Sequence, residues 1–168
     1  MTDCPRPVGR PAGAKPRSRT IGPFRNEAEM CATMASDHIK WSGLVGAGPF
    51  SRVELEYQIP VIKTEMKLSR RNGLARVDLV CWRDDGTVDI VEAKTQGTPQ
   101  DVMGGLGQLL HYKTLLELRC GLIVGKLVLA TTHVPVFMDK TLEAINADVA
   151  VLHITDDAYF GYFKKDSK

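Results

Sequence analysis

The 168-residue chain has no apolar run approaching the roughly 18 residues that a bilayer-spanning helix needs, so no membrane partner is expected. Its first residues contain no apolar h-region, which argues against a secretory leader. Cysteine is scarce and scattered. Cys4, Cys31, Cys81 and Cys120 include no CxxC pair, and three of them lie inside apolar patterns. That arrangement favours reduced, buried thiols over zinc ligands or disulfides, and a cytoplasmic location is expected. No internal repeat is present, and the length suits one domain with a sizeable core. The remaining composition, 43% hydrophobic and 25% charged, is ordinary for a globular domain.

Charge is unevenly placed. Residues 1–25 carry Arg6, Arg10, Lys15, Arg17, Arg19 and Arg25 against Asp3, a net of +5, which leaves −3 on the remainder. A basic tail on a slightly acidic body suits a polyanionic partner, although such tails also serve only solubility. The same stretch holds Pro5, Pro7, Pro11, Pro16 and Pro23 and almost no large apolar groups, so residues 1–25 are expected to be a disordered tail and 26–168 the folded domain. Gly9-Arg10-Pro11 resembles the centre of an AT-hook but lacks the flanking basic residues.

Asn26 is placed to cap a helix, with Glu29 closing a capping box. The apolar stripe Met30, Cys31, Met34, His38 and Trp41 carries that helix to about Trp41, where Gly43 and Gly46 end it. Val53 to Ile59 alternates with period two, the pattern of a half-exposed strand stopped by Pro60. Leu74 to Trp82 and Val88 to Lys94 read as a hairpin turned by Asp84-Asp85-Gly86. Pro99 fits the first turn of a helix running to about Arg119, with Gly121 just beyond its end. Leu127 to Ala130, Val149 to Ile154 and Tyr159 to Phe163 read as strands, with a short helix over 139–147. The order predicts an α/β fold, a mixed sheet with helices on its faces.

Glu92 and Lys94 are two apart on a strand, so their side chains share a face. If Arg83 pairs with Thr87, Asp78 falls opposite Glu92 on that face. Two carboxylates facing each other across antiparallel strands repel, and a divalent cation relieves the repulsion. The surrounding strand is apolar (Val88, Ile90, Val91, Ala93), so burying Glu and Lys there costs several kcal/mol unless they are paired or bind an ion. A purely structural ion pair is the alternative.

Arg76-Val77-Asp78-Leu79-Val80, a hairpin, then Val91-Glu92-Ala93-Lys94 resembles the core of the PD-(D/E)xK nuclease superfamily, which includes restriction endonucleases, Holliday junction resolvases and phage exonucleases. The element order over residues 26–131 is similar to that family's αβββαβ core, although Val77 stands where the family motif has proline. The resemblance implies that Asp78, Glu92 and the carbonyl of Ala93 hold Mg²⁺, for which Mn²⁺ can substitute. It implies that Lys94 orients or activates the attacking water and stabilises charge on the phosphorane. It also implies a metal-site glutamate on the first helix, where Glu27 falls on the apolar stripe. A first-turn acid favoured by the helix dipole is the alternative for Glu27. Gly107 to Tyr112 resembles the segment that follows the lysine in several nuclease subfamilies, which makes Gln108 a catalytic candidate and Tyr112 a nucleic-acid contact.

Gly104, Gly105 and Gly107 are costly in a helix, at about 1 kcal/mol each relative to Ala, and imply close approach of sheet or nucleic acid, or a helix starting nearer Leu106. Arg70, Arg71 and Arg76 beside the motif are candidate phosphate contacts, or else a solvated charge cluster. His38, His133 and His153 are read as core or surface histidines, and His111, beside the motif face, is assigned no chemistry. The resulting expectation is a Mg²⁺-dependent DNA endonuclease acting in recombination, repair or restriction, and working as a homodimer. An exonuclease or RNA-directed nuclease of the same superfamily, and a non-catalytic DNA-binding module, are the alternatives. In this reading Arg10, Arg17 and Arg19 of the tail supply sequence-independent affinity for DNA. Deleting residues 1–22 is therefore expected to weaken DNA binding and flatten its salt dependence. An unchanged salt slope in anisotropy titrations would refute the tail's role.

Overall fold

The computed structural model describes residues 23–60, 75–96 and 98–163. The tail up to residue 22, and Arg70 and Arg71, lie outside the described residues. Just after the tail, Phe24 packs against the core and Arg25 pairs with Glu29.

The elements run α1 (Glu27–Ser36), α2 (His38–Ser42), a 3₁₀ turn (Gly43–Val45), β1 (Arg52–Ile59), β2 (Ala75–Trp82), β3 (Val88–Lys94), α3 (Pro99–Cys120), β4 (Val124–Thr131), α4 (Met138–Ala144), β5 (Val149–Ile154) and β6 (Tyr159–Phe163). The six strands form one sheet in sequence order. β1 to β3 are antiparallel, β3 to β5 parallel, and β6 returns antiparallel. This is a mixed α/β sheet with helices on both faces, and its first part has the αβββαβ order expected of a restriction-endonuclease-like core.

Local signals explain most boundaries. The Asn26 side chain accepts from the Glu29 N–H at 2.9 Å. The Glu29 carboxylate reaches back to the Arg25 N–H at 2.7 Å, so the second half of the capping box falls one residue earlier than expected. The single helix expected to reach Trp41 is broken at Asp37. Trp41 Nε1 donates to the Met34 carbonyl at 2.8 Å, taking an acceptor that a continuing helix would use. Thr98 caps α3 with Pro99 in its first turn, and Gly121 ends it at φ +65°. Gly86 turns the β2–β3 hairpin at φ +83°.

The crossovers β3–α3–β4 and β4–α4–β5 advance in the same direction and place α3 and α4 on one face. There Leu106, Leu109, Leu116 and Leu142 pack on Val80, Ile90, Leu127, Leu129 and Val151. On the other face Met30, Cys31, Met34 and Trp41 pack on Leu79, Val91, Val128, Ala130 and Leu152. β3 lies between the two layers and is buried along nearly its whole length.

The strict alternation expected of Val53 to Ile59 fails in the middle. Val53 joins the α1 face, Leu55 is 47% exposed, and Tyr57 and Ile59 join the opposite face. The change happens at Glu56, whose φ is +53°. Leu55 pairs with Leu79 and Tyr57 with Val77, but no pair forms between Glu56 and Asp78. Val77 and Leu79 correspondingly belong to opposite faces.

A second irregularity lies at the other end of β3, where its register with β4 shifts between Val88 and Ile90. Asp89 fills it. This carboxylate is fully buried and accepts from Lys126 N at 2.7 Å, Gly48 N at 3.2 Å, and Arg83 Nη2 at 2.7 Å and Nε at 3.0 Å. Asp89→Ala strands the Arg83 guanidinium and the backbone N–H groups of Gly48 and Lys126. It is expected to cost about 3–5 kcal/mol in urea unfolding, the range for breaking a buried ion pair. A loss well under 1 kcal/mol would show that the network contributes nothing.

Candidate active site

At the carboxyl end of β3 the apolar run gives way to charge. Glu92 is 3% exposed, and its Oε1 accepts from Lys94 Nζ at 2.6 Å. The hairpin register places Leu79 opposite Val91 and continues through Trp82 opposite Val88, the alignment expected from the turn. The ladder stops there. In place of a further backbone rung, Asp78 Oδ2 accepts directly from the Ala93 N–H at 2.8 Å. The slip at Glu56 frees Asp78 from its β1 partner, and its carboxylate binds the neighbouring strand instead.

From α1, Glu27 brings a third carboxylate, with Oε1 3.8 Å from Lys94 Nζ. From the other face, α3 packs on the lysine stem. A Cβ on Gly105 would lie 2.6 Å from Leu129 Cδ1 and 3.2 Å from Lys94 Cγ, so glycine is needed where the helix meets the sheet. Gly104 and Gly107 face open space, so close approach of the sheet accounts for Gly105 alone. The helix is continuous through all three glycines and does not start near Leu106.

Electrostatics follow from this crowding. Burial, together with the Asp78 charge, pushes the Glu92 carboxyl up to about 7 despite its bond to Lys94. Burial also raises Asp78, against the opposing pull of the Ala93 N–H and Lys94. Glu27 is raised by partial burial, with Lys94 opposing and Asp78 adding to the shift. Burial by itself would lower the Lys94 ammonium, but its bond to Glu92 and the charges of Glu92, Glu27 and Asp78 outweigh it and raise it. Tyr112 is raised by burial and by Glu92 and Asp78, with the side chain of Gln108, one turn earlier, and Lys94 opposing the shift. Gln108 is exposed.

Asp78, Glu92, Lys94, Glu27, Gln108 and Tyr112 therefore gather around one end of β3, and the Ala93 backbone lies between them. Arg76 stands to one side, 3.2 Å from Glu56 in an exposed ion pair. Arg10, Arg17, Arg19, Arg70 and Arg71 lie outside the described residues. Glu56, a further carboxylate felt by Asp78, went unrecognised in the sequence because its place in an alternating strand marked it as a solvent-facing residue.

Among the described residues, no three His, Cys, Asp or Glu side chains are grouped closely enough to hold a metal ion by themselves. Two carboxylates are, however, what Mg²⁺ asks of a protein, with waters and phosphate oxygens completing its shell. Glu92 Oε2 is buried with no hydrogen-bond partner, one of two such buried side-chain atoms among the described residues, the other being Trp82 Nε1. An orphaned carboxylate oxygen beside a second raised carboxyl fits a cation. Among the described residues no helix is long and apolar enough to cross a membrane.

No protein-family model matches the chain, and no curated protein does. Among solved structures it is similar to the crystal structure of a repair endonuclease from Pyrococcus abyssi, at 20% identity and a TM-score of 0.45. The likeness covers 74% of this chain and 45% of that one, so the chain spans under half the length of that structure. A likeness of this size carries no functional argument.

Asp78→Asn keeps an acceptor for the Ala93 N–H and removes one of two adjoining carboxylate charges. In EDTA at pH 8 it is expected to raise stability by on the order of 1 kcal/mol or less, a midpoint shift of about 2–4 °C. Because the fold raises Asp78, its ionised form destabilises as pH rises through the raised value. The gain should therefore vanish near pH 3, where Asp78 is protonated in both folded and unfolded chains. A melting series with no gain at pH 8 would contradict the repulsion.

Proposed function

We propose that the chain is a divalent-metal-dependent nuclease that hydrolyses DNA phosphodiester bonds at the end of β3. The observation that carries this reading is the buried Glu92 carboxylate, with one oxygen on Lys94 and the other without a partner, beside the raised carboxyl of Asp78. A structural ion pair explains the first oxygen and leaves the second unexplained.

Asp78 and Glu92 would hold the metal, and the sequence resemblance adds the carbonyl of Ala93. When bound, a divalent cation supplies Lewis acidity toward a phosphoryl oxygen and lowers the pKa of a coordinated water. The remaining work belongs to the chain. Lys94, its stem packed against Gly105 of α3, presents a protonated amine that orients the attacking water and neutralises charge growing on the phosphorane. Three surrounding carboxylates favour that ammonium form, so Lys94 acts as a hydrogen-bond donor and fixed positive charge. It does not act as a base. Gln108 and Tyr112, one turn apart on α3, lie beside the same cluster, and both can contact substrate oxygens. The wider assignment is a DNA endonuclease of the PD-(D/E)xK type that works as a homodimer and reads phosphates with Arg76 and the basic tail.

Supercoiled plasmid should be nicked with Mg²⁺ or Mn²⁺ and left intact in EDTA. Lys94→Ala is expected to lower the rate by about 10²–10³, the scale of losing one preorganised transition-state donor, with DNA affinity largely kept. Retained cutting by Lys94→Ala would remove that residue from the chemistry, and nicking in EDTA would remove the metal. A panel of closed circle, linear duplex, single strand, four-way junction and RNA separates endonuclease from exonuclease or RNA-directed action.

A further inference from the structure

Beside the carboxylate–lysine cluster lies a cavity of about 440 Å³ between the start of α1 and the irregular stretch of β1 and β2. Ala28, Cys31 and Leu55 give it apolar walls, and Asn26, Glu56 and Arg76 give it a polar rim. Asp78 also lines it, so the cavity opens onto the proposed site of hydrolysis.

Three observations restrict what it can hold. First, it depends on a strained residue. Glu56 at φ +53° breaks the β1 alternation and leaves Leu55 out of both core clusters, where it walls the cavity instead. A non-glycine residue in this conformation is strained and persists only where its surroundings hold it. Second, the charges are wrong for a phosphate. Among the described residues, Glu27, Glu56 and Asp78 face a single guanidinium, Arg76, which is already engaged by Glu56 at 3.2 Å. Such a lining repels an anion and accepts N–H groups. Third, Asn26 uses its side-chain oxygen to cap α1, which leaves its amide N–H₂ to donate. Apolar walls, carboxylate acceptors and an amide donor are the chemistry that reads the edge of a heterocyclic base.

We propose that this cavity receives an unstacked nucleobase from the nucleotide next to the phosphate being cleaved, with a preference for bases that carry an exocyclic amine. The proposal rests on the nuclease reading and narrows its substrate class. Extruding a base from an intact duplex breaks its stacking and pairing, and costs least where the base is mismatched or unpaired. Substrates with a mismatch, a junction or a single-stranded segment at the cut position are thus preferred over continuous duplex.

The test uses the full chain and oligonucleotides carrying 2-aminopurine at each position flanking the mapped cut, in matched and mismatched duplexes. In EDTA, binding should raise 2-aminopurine fluorescence several-fold at one flanking position of the mismatched duplex. With Mg²⁺, mismatched substrate should be cut at least tenfold faster than matched. Ala28→Trp fills the cavity from an exposed helical position and should abolish both the fluorescence rise and the preference, while the rate on matched duplex and the Mg²⁺-induced melting shift stay. Leu55→Trp fills it from the opposite wall and serves as the second variant. Equal cutting of matched and mismatched substrates, no fluorescence rise, or a preference that survives both tryptophans would overturn the cavity's role and leave the nuclease reading standing. A wild-type protein that neither binds nor cuts any of these substrates overturns both.

Discussion

A carboxylate buried in the middle of a three-layer fold is the constraint from which the rest of this structure can be understood. Glu92 sits on the most enclosed strand, nearly without access to water, and only one of its oxygens has a partner. Leaving a charged group in that state costs several kcal/mol unless something compensates. Lys94 compensates in part, and it can do so only because Gly105 lets α3 settle against its stem. Glu27 from α1 and Asp78 from β2 add negative charge to the same place, so the cluster as it stands is short of positive charge. A core that served stability alone would place hydrocarbon there.

The contrast with Asp89 makes the point within a single strand. Both acids lie on β3, and both are buried. Asp89 fills a register shift and accepts from two backbone N–H groups and a bidentate guanidinium. Its bonding capacity is met within the protein, so its role is architectural. Glu92, three residues and about 10 Å further along the strand, has capacity left over and a raised carboxyl. Unmet hydrogen-bonding capacity separates the chemical end of the strand from the structural end.

Backbone irregularity is put to use at both ends. Where the β3–β4 register slips, Asp89 repairs the gap; where β1 and β2 fail to pair at Glu56, Asp78 is released to bind the Ala93 N–H of the next strand. In each case a short acidic side chain takes the place of a lost backbone carbonyl. The slip at Glu56 has a second effect: it withdraws Leu55 from the core and opens space beside the reactive cluster. Site and cavity thus share one origin in the backbone.

Much of this was legible in the residues themselves. Period-two and period-3.6 patterns, with Asn26, Gly86, Pro99 and Gly121 as punctuation, determined the element types, the hairpin register, and the two-residue spacing that puts Glu92 and Lys94 on one face. These are local rules, and a short window of sequence contains all the atoms that enforce them. The break at Asp37 was not legible, because it depends on Trp41 reaching the Met34 carbonyl within a corner that tertiary packing shapes. Nor was the positive φ at Glu56, a residue with no intrinsic leaning toward that conformation, held there only by the strands and helix around it. Which of three helical glycines meets the sheet, and which carboxylate oxygen is left alone, were likewise decided by the packing of α1 and α3 onto opposite faces. Local spacing chose the chemical groups; long-range packing chose which would be satisfied, because desolvation is a property of everything that surrounds an atom.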